Sequence, residues 1–144
     1  MKMFLILLVG LASWVSSQAQ TITSTLYKGT INNRAVTLYV KQEPNPCGGA
    51  TGSLYQGIYK YGNGKAWIEL EIASNGKGNF CLTEFNFTGL LILRQNGNRM
   101  EGIWISPDGK TQLKVALEKQ PLTAKQREEM EVNLERTHYS NHDC

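Results

Sequence analysis

Histidine is almost missing from this chain: only His138 and His142 occur in 144 residues, both close to the C-terminus. The long stretch before them has no imidazole, so nucleophilic chemistry of the Ser-His or Cys-His kind has no base there. A glycine-rich phosphate loop and a nucleotide-binding fingerprint are lacking too, which removes the common phosphate-handling classes. Nor is there an excess of one charge. Fifteen Lys and Arg against 12 Asp and Glu give +3 at pH 7, spread evenly along the chain, which argues against a nucleic-acid or anionic-membrane partner. No apolar run approaches the roughly 20 residues of a membrane-spanning helix.

What is present begins with the parts of a secretory leader. Lys2 supplies the positive start, Phe4 to Ala12 are apolar apart from Gly10, and Ser13 to Ser17 turn polar around Trp14 and Val15. Ser17-Gln18-Ala19 offers small residues at the two positions a signal peptidase reads. The expected leader is therefore residues 1–19, with Gln20 as the new N-terminus and a secreted or periplasmic mature chain of net charge +2 once Lys2 is lost. No cysteine follows the apolar run at the cleavage point, which argues against a lipid-modified terminus. In an oxidising compartment the three cysteines, Cys47, Cys81 and Cys144, imply one disulfide and one spare thiol. Cys47 with Cys81 is the expected pair, because Cys47 sits in the Pro44-Asn45-Pro46-Cys47-Gly48-Gly49 loop that a bridge would tether; the alternative leaves all three unpaired.

From Thr21 to Leu117 short β-branched and aromatic runs alternate with Asn and Gly pairs, the pattern of consecutive hairpins. It predicts eight strands, near residues 22–31, 34–41, 53–62, 65–73, 79–85, 87–95, 98–107 and 110–118. Two-residue turns at Asn32-Asn33, Asn63-Gly64, Asn96-Gly97 and Asp108-Gly109 test one another, since a slip of one residue reverses every side chain. All four give a single apolar face. Tyr27, Gly29 and Ile31 join Val36, Leu38 and Val40; Tyr55, Gly57, Tyr59 and Tyr61 join Ala66, Ile68, Leu70 and Ile72. Gly89, Leu91 and Leu93 meet Met100, Gly102 and Trp104, which meet Leu113, Val115 and Leu117. A motif of large apolar residue, spacer, glycine, spacer, large apolar residue recurs on that face around Gly29, Gly57, Gly89 and Gly102. Mid-strand glycine weakens a sheet, so its repetition implies room for a cross-strand aromatic, with Trp104 opposite Gly89, or a bend that curls the sheet. The expected fold is all-β: an antiparallel eight-strand meander curled into a barrel or half-barrel, with a β-sandwich as the alternative. Residues 20–118 form this β domain and 119–144 a C-terminal helix and tail.

Tyr27-Lys28-Gly29-Thr30-Ile31, Gly57-Ile58-Tyr59-x-Tyr61 before an Asn-Gly turn, Leu82-Thr83-Glu84 and Gly102-Ile103-Trp104 are similar to stretches of small secreted β proteins of Bacteroidota, generally described as hypothetical proteins. The resemblance covers about Leu26 to Leu117, implies a periplasmic or cell-surface setting and carries over no catalytic residue. The Tyr-x-Gly units also resemble MORN repeats, but their spacing is too uneven for an array.

Chemically suggestive positions are few. Glu69 and Glu71 share one strand face, but that face is the outer one, beside Trp67 and Lys60, where solvated charge is expected. Trp67 stacks on Lys60, docks the C-terminal helix or marks a partner surface. Glu84 follows Phe80 and Leu82 on the core side and so is a candidate inward carboxylate. The parity change at Phe85 and Phe87 favours a bend that turns it to water. With Tyr59 on the core face, Glu84 and Trp67 complete the candidate ligand-binding set. Pro121-Leu122-Thr123 before Ala124-Lys125-Gln126 reads as a capping box opening a helix to about Arg136, with only Met130 and Leu134 as its apolar stripe. His138-x-x-x-His142-Asp143-Cys144 has metal-donor spacing, yet falls in a terminus expected to fray, so no metal and no cofactor are expected. Asn86-Phe87-Thr88 matches a glycosylation sequon by a pattern short enough to arise by chance. These readings describe an exported, non-enzymatic binding module of the cell envelope for an apolar ligand, glycan or peptide. The alternative is an envelope interaction protein or inhibitor acting through loops or the outer sheet face.

Overall fold

Asn32 and Asn33 both take positive φ, 47° and 65°, the backbone that closes a two-residue primed turn. They set Ile31 opposite Arg34 and carry that register along β1 (Thr23–Ile31) and β2 (Arg34–Pro44). The computed structural model describes residues 21–49 and 51–143; the expected leader, its expected cleavage point and Cys144 lie outside the described residues. The meander continues through β3 (Ser53–Tyr61), β4 (Ile68–Ser74), β5 (Asn79–Glu84), β6 (Leu90–Asn96), β7 (Arg99–Ile105) and β8 (Gln112–Gln120). β8 pairs back on β1, with Leu26 opposite Gln120 and Ile31 opposite Val115, so the sheet is a closed eight-stranded barrel. Half-barrel and sandwich are thereby excluded.

The ladders of the first, second and fourth hairpins have the expected registers, as in Tyr27 opposite Leu38, Tyr59 opposite Ile68 and Trp104 opposite Leu113. Only the first of these closes through the expected two-residue turn: Gly64 N–H donates to Tyr61 O at 2.9 Å and Gly109 N–H to Ser106 O at 2.8 Å, so the other two connections are longer loops that turn at Gly62-Asn63 and Pro107-Asp108. The third is shifted by two. Asn96 still pairs with Arg99, so the turn is Gly97-Asn98, and Leu91 rather than Gly89 stands opposite Trp104. Gly97 takes the positive φ, 59°, at the first turn position, where glycine is favoured. A shift of two preserves the faces, and the Trp104 indole still leans diagonally over Gly89.

Inward residues fill the barrel: Tyr27, Ile31, Val36, Leu38, Tyr59, Leu70, Leu82, Leu91, Leu93, Met100, Val115 and Leu117 are all buried. Eight strands enclose a lumen just wide enough for such filling. Outside, Leu26, Tyr39 and Ile58 stand in register across β1, β2 and β3 and are also buried, because α1 (Ala124–His142) lies over them. Leu134 is the buried contact of that helix, and burying a leucine contributes about 1.5–3 kcal/mol. Met130, Leu122 and Trp67 pack around it. Thr123 and Gln126 form the expected capping box, but the helix runs on past Arg136 to His142. Neither Gly nor Pro follows Arg136 to stop it. Among the described residues no helix is long and apolar enough to cross a membrane.

The disulfide expectation fails. Cys47 and Cys81 are both exposed and unpaired. Cys81 faces outward between Ala73 and Ile92, whereas Cys47 lies in the loop after β2, and β3 and β4 separate the two in the sheet order.

Candidate functional site

The two ends of the barrel differ, and the difference begins at Glu84. Its side chain points inward and is 4% exposed, so the outward alternative does not hold. The bend exists, but it comes afterwards: Phe85–Phe87 form a 3-10 turn in which Asn86 and Phe87 take φ of 59° and 54°. That turn brings Thr88 and Gly89 back over the barrel end, and Glu84 N–H donates to Gly89 O at 2.9 Å. A buried carboxylate without partners is very costly, and this one has three. Tyr59 Oη and Trp104 Nε1 donate to Oε1, the latter at 2.7 Å, and Thr88 Oγ1 donates to Oε2 at 2.8 Å. Burial first, then its hydrogen bonds to Glu84 and Tyr61, push the Tyr59 phenol far above the usual tyrosine pKa. Tyr59 and Glu84 are thus brought together, but the protein's own donors occupy the carboxylate. The network works as a plug.

The opposite end is open. There, between the β2–β3 loop and the β4–β5 and β6–β7 turns, the inward residues enclose a cavity of about 200 Å³. Its walls are apolar: Tyr27, Val40, Tyr55, Ile72, Phe80 and Leu82. Tyr55 and Phe80 meet edge to face at 5.7 Å. The rim is polar, formed by Thr23, Thr25, Gln42, Gln95 and Lys119. The alternating pattern had placed several of these side chains inward, but it carried no signal that the lumen would be left unfilled at this end.

Trp67, the third candidate, stands apart from both ends. It lies on the outer face, packed with the helix cluster, and Lys60 Nζ sits 4.8 Å from its ring centroid. The helix and Lys60 therefore use the surface that had suggested a ligand.

Glu69 is the residue whose role the sequence concealed. It continues the outer row beyond Ile58, directly opposite it in the β3–β4 ladder, and the last turns of α1 lie over it. His138 Nδ1 meets Glu69 Oε1 at 2.5 Å, Asn141 Nδ2 donates to Oε2 at 2.6 Å, and His142 Nε2 stands 3.3 Å from Oε2. Burial opposes ionisation of Glu69, but the bonds from Asn141 and His138 and the neighbouring histidine charges outweigh it, so its carboxyl sits below the usual glutamate value. The i, i+4 spacing of the histidines was the available signal; ending the helix at Arg136 discarded it. Elsewhere on the helix, Glu131 accepts from Tyr39 Oη and pairs with Lys41 at 3.2 Å. Burial and then the Glu131 contact raise the Tyr39 phenol. No protein-family model, no curated protein and no solved structure matches this chain.

Proposed function

We propose that this is an exported, non-catalytic binding module of the cell envelope whose open barrel end takes a small apolar ligand, or the apolar tip of a peptide or glycan. The observation that carries the reading is the asymmetry of the lumen. One end is sealed by Glu84, Tyr59, Trp104 and Thr88, and the other is an aromatic-walled, polar-rimmed concavity. That combination of apolar walls with a few polar groups to orient the occupant is the usual character of a small-molecule site. Its volume of about 200 Å³ is smaller than the roughly 300–1,000 Å³ of drug-sized sites. A compact occupant, or one end of a longer one, is the consequence. Export rests on the leader described above.

The test is solvent extraction and mass spectrometry of protein isolated from its host, beside a Thr25→Trp variant whose indole would fill the cavity. The parent should carry an apolar compound that the variant lacks. A parent that carries nothing and gives no saturable titration with phenylnaphthylamine would sink the proposal.

A second reading has its own observation. On the outer wall, Ile92 is 47% exposed, its register neighbours Cys81 and Ile103 also face outward, and among the described residues the cluster under the helix includes none of them. Such an apolar strip suits a protein partner. A stoichiometric partner recovered by envelope pull-down and lost with Ile92→Lys would favour it.

A further inference from the structure

The two histidines of α1 stand one helical turn apart, and that turn lies over a single carboxylate from β4. Glu69 offers one oxygen to each imidazole, at 2.5 Å to His138 Nδ1 and 3.3 Å to His142 Nε2. A donor atom from each of the three residues falls within 4.8 Å of the others. The rings are 4.3 Å apart, centroid to centroid. A divalent cation satisfies all three donors together.

The geometry points to a binding site for a divalent transition-metal ion of the zinc class, with Glu69, His138 and His142 as ligands. Imidazole nitrogen with carboxylate oxygen is a donor set such ions accept. Around tetrahedral zinc, donor atoms at about 2.0–2.1 Å from the metal lie about 3.3–3.5 Å from each other. The Glu69–His142 pair already has that spacing. The Glu69–His138 pair must open by about 1 Å, and His138 is exposed enough to move, with 63% of its side chain accessible.

The surroundings are those of a ligand shell. Asn141 holds the Glu69 carboxylate from the side at 2.6 Å, and the Phe85 ring meets His142 edge-on at 5.1 Å. Such outer contacts orient ligands and limit water. Three protein donors leave a fourth position to be filled, and the three residues themselves line a cleft of about 320 Å³ together with Tyr55, Glu71 and Phe85. Water reaches it through that cleft. The site also has mechanical sense. Only Leu134 of α1 is buried, so a metal at the helix's last turn would staple to the barrel the end that apolar packing holds least.

The test uses the whole mature chain. Zn²⁺ is titrated in competition with a chromophoric chelator, and Co²⁺ is followed by its visible ligand-field absorption. One ion per chain is expected, with a Co²⁺ spectrum free of thiolate charge transfer. Glu69→Gln and His142→Ala should each weaken binding by about tenfold or more, while Cys144→Ser, which removes the thiol beyond His142, should leave it unchanged. Glu69→Gln keeps the shape of the side chain, and an unaltered urea midpoint of the metal-free variant separates ligand loss from unfolding. If Glu69→Gln shifts that midpoint, His138→Ala on the exposed side of the site gives the same reading. Absence of saturable Zn²⁺ binding up to about 100 μM, a weak limit on the affinity scale, would overturn the site. So would binding that survives Glu69→Gln but is lost with Cys144→Ser.

Discussion

An alanine at Gly89 would place its methyl carbon 2.4 Å from Trp104 Nε1 and 2.7 Å from the carboxyl carbon and Oε1 of Glu84. These separations are far inside van der Waals contact, and neither neighbour is a loose end. Trp104 and Glu84 are bonded to each other at 2.7 Å, and Tyr59 and Thr88 hold the same carboxylate. Relief requires the indole to swing away or the Phe85–Gly89 segment to shift. Overpacking costs about 1–3 kcal/mol, and losing the indole's bond to a buried carboxylate adds about 1.5–3 kcal/mol. Alanine returns about 0.4–1 kcal/mol by restricting the unfolded chain, which leaves a net loss of about 2–5 kcal/mol. With a urea slope of about 1.5 kcal/mol per molar, the midpoint should fall by about 1–3 M. Intrinsic fluorescence reads it directly, since Trp104 lies at the lesion. Trp104→Phe in the same chain should recover part of the loss, because the clashing ring edge is gone. A Gly89→Ala variant within about 0.5 kcal/mol of the parent would refute the placement of Trp104 over Gly89 and, with it, the plug.

Trp67→Ala should cost about 2 kcal/mol, less than a fully buried tryptophan, and should expose α1 to limited proteolysis, whereas Glu71→Ala should stay within about 0.5 kcal/mol; equal protease resistance of Trp67→Ala and parent would detach Trp67 from helix docking. At alkaline pH the phenols of Tyr27, Tyr39 and Tyr59, all raised first of all by burial, should resist ionisation. An unfolded tyrosine loses its proton near pH 10, so above that pH the folded chain holds more protons. Stability present in full below about pH 10 therefore drains away as pH rises. Phenolate absorbance appearing in full before unfolding would contradict this. Cys47 and Cys81, exposed and unpaired, should both react with a thiol reagent without denaturant, and a non-reduced peptide map linking them would contradict the structure.

Most of the architecture was legible because turn chemistry and alternation act locally. Asn32-Asn33 set the first ladder, and Thr123 with Gln126 opened the helix. The third hairpin misled by two residues because glycine in Asn96-Gly97-Asn98 serves at either turn position, and only the ladder between Asn96 and Arg99 decides. Glu84 was misjudged because its burial depends on donors far along the chain, Tyr59 and Trp104, that alternation places inward without saying what they meet. Glu69 and His138 are separated by 69 positions, so no local pattern joins them. The disulfide failed because loop composition says nothing of distance: β3 and β4 lie between the Cys47 loop and Cys81 on β5 in the sheet order.

An amide NMR titration of residues 20–144 with phenylnaphthylamine probes the open barrel end most directly. Shifts should concentrate at Thr25, Val40, Tyr55, Phe80 and Met100, which line that end, and should leave Tyr59, Glu84 and Trp104 at the sealed end unmoved. Shifts gathered instead around Ile92 and Ile103 on the outer wall, or no saturable shifts at all, would contradict the binding role assigned to the lumen.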